Sequence, residues 1–273
     1  MVTLPSIAIL GTGSMGGAIL SGLVQPGVDV SGGIRVTNRT AAKAKPLASD
    51  TVESFALETN PDANKRALAG ARVVIVGVKP AMVADLLRDV APHLPPDAIV
   101  VSVAAGVTIA TMESLIPSVV LRAMPNTPAV VGRAVTGLAA GSRASAEDVA
   151  TARAVFETVG TVLEVPEGKI DALSTISGSG PAYVFYFIEE LTRTAVDLGF
   201  TANEAAVMVN GTFLGASELL ASSDVDPAEL RRRVTSPKGT TERAIEVLQS
   251  ADLKHLFDRA TAAALARARE LAG

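Results

Sequence analysis

Ile7-Ala8-Ile9-Leu10-Gly11-Thr12-Gly13-Ser14-Met15-Gly16 decides the fold of this chain. Ile7–Leu10 is an apolar run of strand length, and a helical pattern over Met15–Val24 follows it directly. Between the two, glycines recur as Gly11-x-Gly13-x-x-Gly16. Gly11 suits a tight turn, Gly13 leaves room for a ligand against the backbone, and Gly16 lets the helix pack close to the strand. Gly11, Thr12, Gly13, Ser14, Met15 and Gly16 therefore read as a turn at a helix N-terminus, where free N–H groups favour an anion. Placed after the first strand and before the first helix, this pattern points to a dinucleotide pyrophosphate.

The same strand-then-helix unit repeats outward from it. Ser6–Leu10, Ile34–Thr37, Val73–Val78, Ala98–Val103 and Val119–Ala123 are apolar runs, and Ala41–Ser49, Met82–Val90 and Ile109–Leu115 between them have helical spacing. Unbroken apolarity indicates parallel strands covered on both faces. Val135–Ala140 and Val162–Val165, either side of a helix over Ala146–Val159, extend the sheet. After Pro166, Ala, Leu and Glu accumulate at helical spacing, in helices at Ala182–Leu198, Ala202–Ala221, Pro227–Val234, Thr240–Gln249 and Leu253–Ala272. Gly199 reads as the C-cap of the first of these. The expected class is α/β, an N-terminal doubly wound Rossmann domain over 1–165 and an all-helical domain over 166–273. Small residues such as Ala205, Ala206, Gly211 and Gly215 suit close helix packing, and the helical half is expected to form a subunit interface.

The second strand ends in Asn38-Arg39-Thr40, where enzymes that use NADH commonly carry an acid for the ribose 2′-hydroxyl. Arg39 instead offers a fork for a 2′-phosphate, and Asn38 and Thr40 add neutral hydrogen bonds. NADPH is the expected cofactor, with NADH as a possible second. Val78-Lys79-Pro80, the Ala104-Ala105 pair within Ser102–Gly106, and Met124–Pro128 each follow a strand. Together they mark the crevice at the carboxyl edge of the sheet where ligands bind.

A second hydroxyl-rich turn, Val234-Thr235-Ser236-Pro237-Lys238-Gly239-Thr240-Thr241, also leads into a helical pattern, and Ser177-Gly178-Ser179-Gly180-Pro181-Ala182 opens the long helix. Both segments also read as plain hydroxyl caps, each worth roughly 0.5–2 kcal/mol. As anion sites they would suit a small carboxylate substrate beside the cofactor.

A net charge of −4 without a basic stripe argues against nucleic acid, and no apolar run approaches the roughly 18 residues of a membrane span. The absence of cysteine excludes disulfides, thiol nucleophiles and Cys-ligated zinc, and His93 and His255 are too far apart in sequence to begin a metal pattern. Met1–Pro5 has no basic leader-like segment, so a cytoplasmic location is expected.

With these segments assembled, the chain resembles the Δ1-pyrroline-5-carboxylate reductases over nearly its whole length. The resemblance rests on Gly11–Gly16, Asn38-Arg39-Thr40, Val78-Lys79-Pro80, Ser102–Gly106, Met124–Pro128, Ser177–Ala182 and Val234–Thr241. It implies NADPH-dependent reduction of pyrroline-5-carboxylate to L-proline by hydride transfer to the imine carbon. It also implies a homodimer, assembled into a decamer, whose active site combines one subunit's cofactor domain with helices of its partner. By the same resemblance Asn64 is a cofactor contact, Ser236, Gly239, Thr240 and Thr241 bind substrate, and the Thr241 hydroxyl meets the ring nitrogen. Lys238 departs from the family, which commonly has glycine there.

Three other readings compete. A β-hydroxyacid dehydrogenase needs a lysine base on its long central helix, whereas Ala182–Leu198 contains no Lys and Arg193 as its one cation. A deazaflavin-linked oxidoreductase would lack the turn near Ser236. A non-catalytic NADP-binding scaffold would keep both anion turns.

Overall fold

In the computed structural model, which describes residues 1–272, the strands are β1 (Val2–Leu4), β2 (Ile7–Leu10), β3 (Val28–Val30), β4 (Ile34–Asn38), β5 (Val52–Ala56), β6 (Val73–Val76), β7 (Ile99–Ser102), β8 (Val119–Met124), β9 (Ala134–Ala140) and β10 (Gly160–Glu164). Eight of them form one sheet in the order β10-β9-β8-β7-β6-β2-β4-β5, while β1 and β3 pair separately. Strand β2 lies between β6 and β4, with Ile9 opposite both Val36 and Ile75. The strand order reverses there, which opens a crevice at the carboxyl edge.

The helices of this first half are α1 (Ser14–Leu23), α2 (Ala41–Ala44), α3 (Ala63–Leu68), α4 (Val83–Val90), α5 (Ile109–Glu113), α6 (Ala146–Glu157) and α7 (Ile170–Leu173). Successive strand residues point to opposite faces, so an unbroken apolar run feeds two cores. Ile7 and Ile9 pack with Ile19, Leu23, Val155 and Phe156 on one face. Ala8 and Leu10 pack with Leu68, Leu87 and Met112 on the other.

Three features differ from the sequence reading. Strands β1, β3 and β5 and helix α3 were not anticipated, because β1 and β3 have three residues each, β5 is an edge strand broken by Glu53 and Ser54, and α3 has six residues. Strand β9 runs antiparallel to β8. The short connection through Thr127–Val131 cannot make the long crossover that a parallel pair requires. Finally, Ser177 does not open a helix: Ser174–Gly178 form a π-helical turn directly after α7, and the Ser177 hydroxyl donates to the Leu173 carbonyl.

The remaining helices are α8 (Gly180–Asp197), α9 (Ala202–Ala221), α10 (Pro227–Arg233), α11 (Thr240–Ser250) and α12 (Leu253–Ala272). Helix α8 is followed by Gly199 at φ +99°, the left-handed conformation expected of a C-cap glycine. By packing, Met1–Ser179 and the chain end from Ala264 form one unit, and Gly180–Ala263 a second. Glu167–Ser179, placed by sequence with the helical half, thus packs with the sheet unit.

The second unit has almost no interior of its own. Among the described residues its buried apolar side chains are Ala195, Ala205 and Val209, while Phe185, Tyr186, Leu198, Val207 and Leu214 are exposed. The helical unit thus leaves much apolar surface uncovered. No helix of the described residues is long and apolar enough to cross a membrane.

Candidate active site

The glycine turn is built as its sequence requires. Gly11 has φ +83°, and a Cβ there would lie 2.5 Å from Val78 Cγ1 and 3.1 Å from the Val78 nitrogen. The N–H groups of Gly11 and Thr12 both donate to the Thr37 carbonyl, and that of Gly13 to the Gly11 carbonyl. Gly13 caps α1 without any side-chain hydrogen bond, so Ser14, Met15 and Gly16 present the open amides of the helix start. A Cβ at Gly13 would meet nothing within 4 Å, whereas one at Gly16 would press on Ile9 Cγ2 at 3.3 Å. Gly13 therefore faces open space and Gly16 faces the strand.

The adjoining edge holds buried polar atoms that lack partners. Thr12 Oγ1, Asn38 Nδ2 and Asn64 Oδ1 are all buried and unbonded. An unpaired buried polar group costs roughly 1–3 kcal/mol, which a polar ligand can offset. Asn38 ends β4, and Asn64 lies on α3, the helix absent from the sequence reading. Arg39 is exposed, and its guanidinium meets the sulfur of Met82 at 3.8 Å. Thr40 precedes α2 without capping it by its side chain. The orphaned donor and acceptor atoms, the space at Gly13 and the free cation together fit a dinucleotide.

Lys79, Pro80 and Ala105 line one cleft of about 640 Å³, together with Arg122, Asp171 and Ser174. Ala104 lies beside it but is buried, its N–H donating to Ser102 Oγ. Arg122, 3 % exposed, is an ion within an apolar strand. It is compensated by Asp171 at 2.6 Å and Glu167 at 3.6 Å, and Glu167 also accepts from the Ile109 N–H. These residues escaped the sequence reading, although a lone arginine inside Val119–Met124 demands acidic partners. A second cleft, of about 370 Å³, opens at the opposite strand ends. It is lined by Asp29, Asp50 and Glu53 without a cation, which does not suit an anionic ligand.

In the second unit, Gly239 precedes α11 and gives it no side-chain cap. The Gly239 N–H is already taken by the Ser236 carbonyl at 3.0 Å. The amides of Thr240 and Thr241 have no such partner among the described residues. Ser236, Thr240 and Thr241 are exposed, and none of their hydroxyls has a hydrogen-bond partner among the described residues. Lys238 has φ +61°, the left-handed region that favours glycine, and its N–H donates to Glu242 Oε2. A glycine would adopt this conformation without strain.

A doubly wound sheet with an open glycine turn at its switch point, joined to a helical unit with an uncovered apolar surface, defines an oligomeric NAD(P)-dependent oxidoreductase. Residues 6–106 match the family described as NADP oxidoreductase coenzyme F420-dependent, and residues 167–271 match that described as pyrroline-5-carboxylate reductase dimerisation. A pyrroline-5-carboxylate reductase of Pseudomonas aeruginosa is 38% identical over 98% of this chain and 97% of its own. The solved pyrroline-5-carboxylate reductase of Coxiella burnetii superposes with a TM-score of 0.90 at 35% identity, covering 97% of each chain. A Plasmodium falciparum pyrroline carboxylate reductase solved with NADP bound shares the fold, with a TM-score of 0.81 at 22% identity over 98% of each chain. The chain belongs to the pyrroline-5-carboxylate reductase family.

Proposed function

We propose that this chain reduces Δ1-pyrroline-5-carboxylate to L-proline with NADPH, the last step of proline biosynthesis. The observation that carries the reading is the set of unpartnered buried atoms of Thr12, Asn38 and Asn64 around an uncapped, glycine-gated helix start. NADPH, when bound, supplies a hydride from C4 of its nicotinamide.

In this reading the amides of Ser14, Met15 and Gly16 hold the pyrophosphate. Thr12 and Asn64 contact the adenosine side, while Asn38, Arg39 and Thr40 receive the 2′-phosphate. Val78, Lys79, Pro80, Ala104 and Ala105 border the nicotinamide. The Ser236 hydroxyl and the Thr240 and Thr241 amides hold the substrate carboxylate, and the Thr241 hydroxyl orients the proton on the ring nitrogen. A protonated imine is already electrophilic, so no strong acid is required, in keeping with the exposed positions of His93 and His255. Most of the acceleration comes from orienting two ligands with water excluded.

The test is NADPH oxidation that depends on added pyrroline-5-carboxylate and yields proline. Binding of NADPH without turnover would leave the scaffold reading. Arg39→Ala should raise the KM for NADPH at least several-fold more than that for NADH, since a phosphate fork matters to one cofactor alone. Equal effects on both would remove Arg39 from phosphate recognition.

We assign to the dimer further assembly into a decamer, a cytoplasmic location, and neither nucleic-acid nor membrane partners, in line with the net charge of −4. The division of labour follows 1–165 for cofactor and 166–273 for substrate and dimerisation. Phe185, 66 % exposed on α8, is an anchor candidate for self-association. Phe185→Glu should weaken it roughly tenfold, as loss of a buried aromatic anchor does. Light scattering across a dilution series reads the change, and an unchanged mass would place the interface elsewhere.

A further inference from the structure

Glu58 stands beside the Asn38-Arg39-Thr40 turn, brought there by sheet register. Strands β4 and β5 pair in parallel up to Asn38 opposite Ala56. The ladder continues one step past both strands, with the Leu57 N–H donating to the Asn38 carbonyl at 2.9 Å and the Glu58 N–H to the Arg39 carbonyl at 3.0 Å. The Glu58 side chain then crosses the turn, and its Oε1 accepts from the Ala41 N–H at 2.6 Å.

This carboxylate does not pair with its cationic neighbour. Arg39 forms no ion pair among the described residues, its guanidinium meeting the Met82 sulfur instead. Glu58 Oε2 has no partner among the described residues. Asn38, the residue before Arg39 and 5 % exposed, keeps a buried Nδ2 donor unbonded. A buried donor without a partner, on a turn that also carries an unpaired cation and meets a half-used carboxylate through strand register, suits a ligand that supplies both an acceptor and a donor. An adenosine ribose with its 2′-substituent has that character.

We propose that Glu58 sets the cofactor selectivity of this enzyme. Arg39 attracts a 2′-phosphate, while the Glu58 carboxylate repels it and offers an acceptor to a ribose 2′-hydroxyl. The preference for NADPH over NADH is therefore held below what Arg39 alone would produce. In enzymes selective for NADH the acid commonly ends the second strand itself. Here a carboxylate comes to the same edge from the turn after the neighbouring strand.

The inference rests on the NAD(P)H reading and is tested without turnover. Glu58→Gln keeps an oxygen for the Ala41 N–H but deletes the charge, which separates electrostatics from capping. Calorimetric titration of the full chain with 2′,5′-ADP and with 5′-AMP measures the adenosine half with and without its 2′-phosphate. A unit charge a few Å away in a solvent-exposed setting changes binding by about three- to tenfold. The affinity ratio of 2′,5′-ADP over 5′-AMP should rise by that factor in Glu58→Gln, and the gain should shrink as salt is added. A ratio that stays level or falls overturns the proposal and leaves Glu58 as a backbone cap. Arg39→Ala in the same titration tests the underlying reading separately: equal losses for both probes would show that the 2′-phosphate does not lie on this turn.

Discussion

Thr241→Ala is expected to lower kcat more than tenfold while leaving NADPH binding nearly unchanged. Thr241 occupies the first turn of α11, a helix opened by Gly239 without a side-chain cap. The residue is exposed and its hydroxyl has no partner among the described residues, so its removal deletes no packing and no hydrogen bond there. Alanine is also the stronger helix former, and the fold should be indifferent to the change. In the proposed mechanism, what disappears is the hydroxyl that orients the proton on the ring nitrogen as hydride arrives. Preorganised donors of this kind are worth roughly 2.7–4 kcal/mol in favourable cases, or 10²–10³ in rate. Thr241→Ser should recover most of the activity, because it restores the hydroxyl. Wild-type turnover in the alanine variant would remove Thr241 from the mechanism.

Gly11→Ala should lower NADPH affinity at least tenfold and the melting temperature by several degrees. The residue has φ +83°, which costs an L side chain roughly 1–2 kcal/mol. The new methyl would also sit 2.5 Å from Val78 Cγ1 and 3.1 Å from the Val78 backbone nitrogen. The side chain could yield, but the backbone of the β6 exit cannot do so without moving Lys79 and Pro80. Relief must come from the turn itself, which displaces the amides of Ser14, Met15 and Gly16. Gly13→Ala makes the informative contrast, since its Cβ would meet nothing within 4 Å. It should lower NADPH affinity at an unchanged melting temperature, because the methyl enters ligand space alone. Equal stability losses in both variants would contradict this division of roles, as would full NADPH affinity in either.

The apolar runs were readable because burial on both faces leaves no polar alternation, and all five runs contain strands of one sheet. Helix α9 falls where its spacing placed it, from Ala202 to Ala221. Short elements were less legible. Helix α3 has six residues, too few for a periodic pattern, so Asn64 entered only through family resemblance. Arg122 was visible as a charge in an apolar strand, but its partners Glu167 and Asp171 lie far along the chain. At the turn before α11, residue types left a plain hydroxyl cap and an anion site both open. The structure shows the Gly239 N–H donating to the Ser236 carbonyl and the Lys238 N–H to the Glu242 carboxylate, which leaves the amides of Thr240 and Thr241 open.

By itself, the sequence determined the α/β class, the glycine turn after the first strand, the helical second half and the family. Each depends on residues within a short window, where side-chain period and the special backbone freedom of glycine act locally. Tertiary structure alone decided the antiparallel β8–β9 pair, the orphaned atoms of Thr12, Asn38 and Asn64, and the carboxylate of Glu58 against the Ala41 amide. These follow from strand register and burial, which bring together residues that are distant in the chain, and no local pattern encodes such a meeting.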